Sequence, residues 1–205
     1  MSFILNNITN FLPEVILFFG IILQSLFKKY SGLVTLFSIV SAFVSLLSVS
    51  FYPNELYMYM TKILICISAG VIYCLTSRRK ILKNIRYYNF IYLFSIIFLM
   101  LITSVKDFFS LYVNIELFSI CMYFLLSIDK AKISISETMK YLLMSCIASF
   151  MLLLGAVFLY GFTGSLNFQE VYNYLVTHDN YSFSTYINPY FHVLTGLLFK
   201  LGVFP

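Results

Sequence analysis

The sequence predicts an all-α integral membrane protein with about seven transmembrane helices. Of its 205 residues, 61% are hydrophobic and only 10% are charged. The mean hydropathy of +0.92 is too high for a water-soluble domain of this size. The apolar residues form continuous runs of about 20 residues, the length that a helix needs to cross a bilayer. These runs lack the alternation of barrel strands, so we expect helices throughout.

The apolar segments are separated mostly by short polar connections, which predicts that consecutive helices pack antiparallel. The segments are residues 8–27, 33–52, 61–77, 87–105, 108–128, 136–161 and 188–205. We expect a single transmembrane domain over residues 1–205, with a surface loop over residues 162–187. Within this loop, the stretch FQEVYNYL has the pattern of a short amphipathic helix at the membrane surface.

The charges between the segments predict the orientation of the chain. Residues 28–29, 78–86 and 129–137 fall on one side and carry a net charge of about +7. The opposite side carries about −2, from Glu55, Lys62, Lys106, Asp107, Glu170 and Asp179. The basic side is therefore cytoplasm-like, or the matrix of a mitochondrion. We interpret the run RRKILKNIR as this orientation signal rather than as a lipid-headgroup or nucleic-acid patch.

Cysteine spacing and motifs give no sign of a bound cofactor. Four cysteines lie in apolar segments without CxxC spacing, and we expect them to be small buried packing residues: Cys66, Cys74, Cys121 and Cys146. The chain has no Gly-rich phosphate loop and no His/Cys cluster, so we expect no nucleotide, metal or iron–sulfur cluster. Abundant Phe, Tyr, Ile and Asn indicate an A/T-rich genome, such as that of an organelle, with a composition bias of the lineage as the alternative. The first apolar run also lacks the features of a cleavable targeting peptide.

Glu116 is an ionisable residue inside an apolar segment. It lies about nine residues into the fifth predicted helix, near the middle of the bilayer. With Tyr112, Ser119 and Tyr123 it forms a polar stripe along one helix face. An ionisable group at this depth is costly, so it marks an ion pathway or a buried pair. That face should therefore contact protein or water rather than lipid.

Two lysines are candidates for the same pathway. Lys200 lies in LLFKLGVFP, more than a dozen residues into the seventh helix, on a face shared with Gly196 and His192. Lys140 lies about one turn into the sixth helix. Snorkelling to the surface is the alternative for both lysines. We expect a change in the distance between Glu116 and Lys200 to load or release one proton.

Other residues near these charges have simpler interpretations. His192 and His178 are candidate proton relays, with interfacial or solvated histidines as the alternative. Glu14 follows Pro13 at the start of the first helix, and we interpret it as a charge favoured by the helix dipole. The sixth helix carries small residues that suit close packing against a neighbour, namely Ser145, Ser149 and Gly155.

At these residues the chain resembles NADH dehydrogenase subunit 2, a family of antiporter-like, proton-translocating subunits in the membrane arm of respiratory complex I. The resemblance rests on YVNIELFSICMYFLL, SISETMKYLLMSCIASFMLLLGAVFLYGFTGSLNF and LTGLLFKLGVFP, all in the second half of the chain. The first half shares only the helix pattern and an early Pro-Glu pair. The resemblance implies that Glu116, Lys140 and Lys200 carry protons while quinone reduction takes place elsewhere in the complex.

The resemblance also implies what surrounds this chain. NADH, FMN, iron–sulfur clusters and ubiquinone are expected in other subunits. The expected partners are other membrane-arm subunits and lipids, with no nucleic acid, in the mitochondrial inner membrane or alternatively the bacterial plasma membrane. In the family the seventh helix is broken near Lys200 and more helices follow, whereas this sequence ends at Pro205. We therefore expect an antiporter-like half-bundle ending in a broken helix, completed by a separate chain that supplies the C-terminal half.

Three other functions stay open from the sequence. A subunit of a multisubunit sodium/proton antiporter would have the same helices and charges. A structural membrane-arm scaffold would keep the charges without moving protons. A seven-helix channel or receptor fits the number of helices, but it does not explain Lys200 deep inside one of them.

Overall fold

The computed structural model describes residues 2–27, 30–48, 56–77, 87–128, 132–177 and 183–202, which form eight α-helices. In chain order these are α1 Ser2–Leu26, α2 Ser31–Ser48, α3 Leu56–Ser77, α4 Tyr88–Thr103, α5 Phe108–Ser127, α6 Lys132–Thr163, α7 Phe168–Thr177 and α8 Phe183–Lys200. The predicted all-α membrane fold is confirmed. The run RRKILKNIR, Lys28, Lys29 and His178 lie outside the described residues.

Three helices of the described residues are long and apolar enough to cross a membrane, through Leu56–Thr76, Phe108–Ser127 and Ser136–Thr163. Shorter apolar stretches occupy α1, α2 and α4, as Phe11–Leu26, Ser31–Leu47 and Tyr88–Thr103. The predicted seventh span corresponds to α8, which has 18 residues and ends at Lys200. The stretch FQEVYNYL lies in the short helix α7, and its place at the membrane surface stays a prediction.

The chain divides into two compact units, Met1–Ser104 and Val105–Pro205. The single domain expected from the sequence stays a prediction. In the first unit, α1 packs on α2, α2 on α3, α3 on α4 and α4 on α1, so the four helices form a ring. Apolar side chains fill its interior, among them Leu17, Ile39, Leu46, Leu93 and Met100.

The second unit is organised around α6, which packs most extensively against α8 and also contacts α5 and α7. At one end of the unit, Leu159 of α6, Val171 of α7 and Val193 of α8 form an apolar cluster, with Phe108 packed against it. Phe108 belongs to α5, so all four helices of the second unit contribute a residue to this cluster. The helices α5 and α8 that carry Glu116 and Lys200 are thereby held against α6.

The start of α5 is joined to the start of α7. Asp107 and Asn167 form an isolated antiparallel bridge, and the Phe108 and Phe168 rings meet edge to face at 4.6 Å. Asp107 also caps α5, because its Oδ1 accepts from the backbone N–H of Ser110 at 2.7 Å. The beginning of α5 is thus fixed by a cap, a bridge and a ring contact.

Candidate functional site

An ion pair between Lys200 of α8 and Glu116 of α5 lies in the second unit. The lysine Nζ donates to the Glu116 Oε1 at 2.6 Å and to the Ser119 Oγ at 3.0 Å. The two side chains are 12% and 27% exposed, so most of the pair is enclosed by protein. Glu116 is about 12 Å from the start of a helix about 30 Å long, which puts the pair near mid-membrane. The structure therefore brings together the two residues that the sequence suggested as partners.

Ser149 of α6 completes the site. Its hydroxyl donates a short hydrogen bond to the Glu116 Oε1 and also lies 2.7 Å from the Ser145 carbonyl oxygen. Because a hydroxyl has one proton, it can donate fully to only one of these acceptors at a time. When Glu116 carries a proton, Glu116 can donate to Ser149 and Ser149 can donate to the Ser145 carbonyl. Ser149 can therefore satisfy the Glu116 carboxyl group in both of its charge states.

Helix α8 ends at the ion pair. Lys200 is its last residue, and a turn follows in which Gly202 has a φ of +74°, a conformation that favours glycine. The last carbonyls of a helix lack intrahelical donors. Irregular backbone at membrane depth is tolerated only against protein or water. The end of α8 therefore leaves backbone carbonyls without intrahelical donors beside Lys200, and the broken helix expected from the sequence stays a prediction.

Two glycines let α6 and α8 approach closely enough to position Lys200. A Cβ on Gly196 of α8 would lie 2.8 Å from the Ala148 carbonyl oxygen and 2.8 Å from the Leu152 nitrogen. A Cβ on Gly155 of α6 would lie 2.5 Å from a Val193 methyl group. The predicted use of small residues at this interface is confirmed for Gly155.

Lys140 lies apart from the ion pair. Its side chain is 69% exposed and forms a 3.0 Å salt bridge with Glu137, one turn earlier in α6. Ser149 lies about 14 Å further along the same helix. The structure thus places Lys140 on the surface of this unit, and its role as a proton carrier stays a prediction.

His192 lies on α8 about 12 Å from Lys200, too far for direct contact with the pair. Its ring packs against Phe158 at 5.8 Å between centroids. The buried Nδ1 atom has no hydrogen-bond partner among the described residues. Its role as a relay stays a prediction.

Sequence reasoning missed a second buried ion pair, which lies in the first unit. Nζ of Lys62 is 2.6 Å from Oε1 of Glu14. The interpretation of Glu14 as a charge at a helix start is wrong, because α1 begins at Ser2 and Glu14 lies in its middle. Counting Lys62 as a loop charge is also wrong, because α3 begins at Leu56. The sequence does contain a signal for this buried pair, because apolar residues flank both Glu14 and Lys62.

The cysteine prediction holds for only half of the set. Cys66 and Cys121 are buried, whereas Cys74 and Cys146 are exposed, so the packing interpretation is wrong for the latter two. The helix surfaces that carry them face outward from their own unit. Within the described ranges, no group of three or more His, Cys, Asp or Glu residues could hold a metal ion.

Comparison with known proteins gives a family match for the second half of the chain. Residues 105–205 match the family described as NADH:quinone oxidoreductase/Mrp antiporter, TM. NADH-quinone oxidoreductase subunit N of Thioalkalivibrio sulfidiphilus is 38% identical over 114 residues, covering 55% of this chain and 24% of that protein. The protein of the same name from Bartonella bacilliformis is 29% identical over 213 residues, covering 95% of this chain and 43% of that protein. The chain thus spans less than half the length of these relatives.

A solved structure shares the fold. One chain in respiratory complex I from Thermus thermophilus with bound aureothin superposes with a TM-score of 0.72 at 20% identity. The superposition covers 90% of this chain and 43% of that chain. The family match over residues 105–205 coincides with the second unit, which contains Glu116, Ser149 and Lys200.

Proposed function

We propose that this chain is a proton-translocating membrane subunit of NADH:ubiquinone oxidoreductase, respiratory complex I, since residues 105–205 match the family described as NADH:quinone oxidoreductase/Mrp antiporter, TM. The observation that carries this proposal is the 2.6 Å contact between Lys200 and Glu116 near mid-membrane. Intramembrane ionisable residues are expensive and typically mark ion pathways or proton relays.

The proposed mechanism is a change in the separation of Glu116 and Lys200. At contact distance, each charge stabilises the other. Moving the lysine away removes that attraction, so the free energy of keeping a proton on either group changes. Ser149 and Ser119 supply hydrogen-bonding partners on both sides of the pair. A cycle of approach and separation would then bind and release one proton.

We infer that the chain serves the enzyme as a translocase without redox chemistry of its own. NADH, FMN, iron–sulfur clusters and ubiquinone would bind to other subunits. The pair would respond to quinone reduction through movement of neighbouring helices. This division of labour fits a chain whose chemistry lies in carboxylate, amine and hydroxyl groups inside apolar helices.

The proposed partners are the other membrane-arm subunits and lipids. A separate polypeptide supplying the C-terminal half of the subunit stays a prediction from the sequence. For the compartment we propose the mitochondrial inner membrane, because the composition indicates an A/T-rich genome. The bacterial plasma membrane is the alternative, and the bacterial origin of the relatives favours it.

A sodium/proton antiporter subunit is the second candidate, because the description of the matching family also names Mrp antiporters. The two functions differ in what drives transport. Complex I uses NADH oxidation, whereas an antiporter uses an existing ion gradient. A scaffold that keeps the charges without transport is the third candidate.

The test uses the intact complex that contains this chain, purified and reconstituted into vesicles. The proposal expects NADH and a quinone to drive acidification in sodium-free buffer, followed with a pH-sensitive dye. Proton movement that needs a sodium gradient and ignores NADH would instead identify the antiporter. Normal acidification in complexes lacking the Glu116 and Lys200 charges would leave only the scaffold.

A further inference from the structure

The Glu14–Lys62 pair is enclosed more completely than the pair of the proposed site. The side chain of Lys62 is 0% exposed and that of Glu14 is 6% exposed. Helices α1 and α3 are opposite members of the four-helix ring, so the pair crosses the interior of the first unit. The Phe11 ring, with its centroid 5.6 Å from the Lys62 Nζ, lies beside the charge. The ammonium and the carboxylate are thus held together away from solvent.

The carboxylate of Glu14 can accept a proton. Its Oε2 atom is buried and has no hydrogen-bond partner among the residues that the structure describes. Buried carboxylate oxygens normally accept hydrogen bonds, because an unsolvated charge in a low dielectric is costly. A proton or a water molecule at Oε2 would relieve this cost.

Polar groups at one end of the unit provide a place where water can approach. Gln24, about 15 Å beyond Glu14 on α1, donates to the Ser31 carbonyl at 3.3 Å. Asn89 of α4 donates to the Ser31 hydroxyl at 3.2 Å and accepts from the Tyr73 hydroxyl of α3 at 3.2 Å. All four helices of the ring therefore contribute to this polar cluster.

Buried hydroxyl groups lie at intermediate levels. Ser38 of α2 packs against Gly20 of α1, between Glu14 and the cluster along the helix. Thr35 and Ser95 are buried in the same unit. Each of these hydroxyls donates to a carbonyl of its own helix. Their oxygens can still accept a hydrogen bond from water or from a proton carrier.

We propose that Glu14 and Lys62 form a second proton-exchange site, which takes part in the transport proposed above and rests on that proposed function. Proton uptake forms an O–H bond on a carboxylate oxygen of Glu14, with the proton delivered from water at the Gln24–Asn89 cluster. Release breaks that bond and returns the proton to water. Lys62 keeps its own proton throughout and compensates the charge that Glu14 regains.

The test separates this role from a purely structural pair by using single and double variants of the intact complex. Glu14→Met or Lys62→Met alone leaves one buried charge unpaired and should reduce the amount of assembled complex. The double variant removes both charges and should restore assembly. The proposal expects that the assembled double variant still pumps at least about twofold fewer protons per NADH. Normal pumping by this variant would overturn it.

An infrared measurement covers the case in which the double variant does not assemble. Glu14→Asp keeps a carboxyl group but changes its C=O stretching frequency. The proposal expects the carboxyl bands that change during turnover to include one that shifts in this variant. An unchanged set of bands would overturn the proposal. Thr61→Val, at the exposed neighbour of Lys62 in α3, is the matched control and should leave both assembly and bands unchanged.

Lys200→Ala distinguishes failure of this inference from failure of the proposed function. If Lys200→Ala pumps normally, the proposed function itself fails. If Lys200→Ala loses pumping while the double variant at Glu14 and Lys62 pumps normally, only the second site fails. The two results are measured on the same vesicles with the same dye.

Discussion

Glu116 accepts hydrogen bonds from two different helices, from Lys200 of α8 and from Ser149 of α6. Removing one partner of such a group leaves the other buried and unsatisfied, which costs about 1–3 kcal/mol or more when it is charged. A substitution that keeps the side-chain shape but removes the charge, such as Glu116→Gln, therefore separates proton transfer from packing at this site.

Lys200→Ala and Glu116→Gln should lower proton pumping more than they lower assembly. Each removes one titratable group of the pair, and a positioned acid–base group contributes about 10²-fold or more where it is essential. We expect pumping per NADH to fall by at least about tenfold while the amount of complex falls by less than about twofold. Dye quenching in vesicles and native gels measure the two quantities.

The control for these variants is Leu194→Ala, which changes an exposed side chain of the same helix. It should leave both assembly and pumping near wild type. An equal loss of assembled complex and of pumping in Lys200→Ala would show that the lysine is structural.

Ser149→Ala should reduce pumping, whereas Ser149→Thr should retain most of it. The alanine variant loses the hydroxyl that satisfies Glu116, and hydrogen bonds to charged groups contribute about 1.5–3 kcal/mol. The threonine variant keeps a hydroxyl at the same position. Turnover and pumping measured in parallel on the three proteins check this. Equal activity of the alanine and threonine variants would argue against a role for the hydroxyl.

At the scale of the elements, α6 is the central helix of the second unit, and α5, α7 and α8 pack against it. Its 32 residues span about 48 Å, well beyond a hydrocarbon core of about 30 Å. It contacts α5, α7 and α8, and Gly155 and Gly196 set its distance from α8. The position of Lys200 relative to Glu116 therefore depends on a backbone contact more than one turn away.

Gly196→Val should disrupt the docking of α8 on α6. The added side chain would overlap the backbone of Ala148 and Leu152, and overpacking of this kind costs about 1–3 kcal/mol. We expect a lower thermal transition temperature of the purified complex and a matching loss of pumping. Fluorescence-monitored unfolding of wild type and variant measures the transition.

Gly161→Ala is the matched control for that substitution. Gly161 lies in α6, and a Cβ there meets nothing within 4 Å. The replacement should leave the transition temperature unchanged or raise it slightly, because alanine favours helix. A destabilised Gly161→Ala together with a tolerated Gly196→Val would contradict this account of the interface.

At the scale of the whole molecule, each of the two units contains one Glu–Lys pair with a 2.6 Å contact within the described residues. The family model matches residues 105–205, which coincide with the second unit. The relatives are more than twice as long as the region matched here.

Gentle solubilisation of the membrane should yield this chain within a large complex that oxidises NADH. If the chain is a subunit of complex I, flavoprotein, iron–sulfur and other membrane-arm subunits should co-purify with it. Mass spectrometry identifies these subunits. Deleting the chain should abolish quinone-coupled NADH oxidation. Co-purification with ion-antiporter subunits alone, and unchanged NADH oxidation after deletion, would support the second candidate function.

The sequence predicted the fold and the site to different degrees. Long apolar runs made the helices predictable, and the depth of Glu116 and Lys200 in two of those runs suggested that they pair. The contribution of Ser149 to Glu116 was not predictable, because a serine inside a helix usually bonds its own backbone. Glu14 and Lys62 were misplaced because the helices that contain them extend further than the apolar runs, by 6 residues at the start of α1 and 5 at the start of α3.

The Glu116–Lys200 contact also constrains how the protein is made. The two residues are 84 positions apart in the chain. At a synthesis rate of about 5–20 residues per second, Glu116 is made about 4–17 s before Lys200. Ser149 follows Glu116 by 33 positions, so a hairpin of α5 and α6 can shelter the carboxyl group first. The insertion machinery must therefore keep that hairpin from dispersing into lipid until α8 arrives.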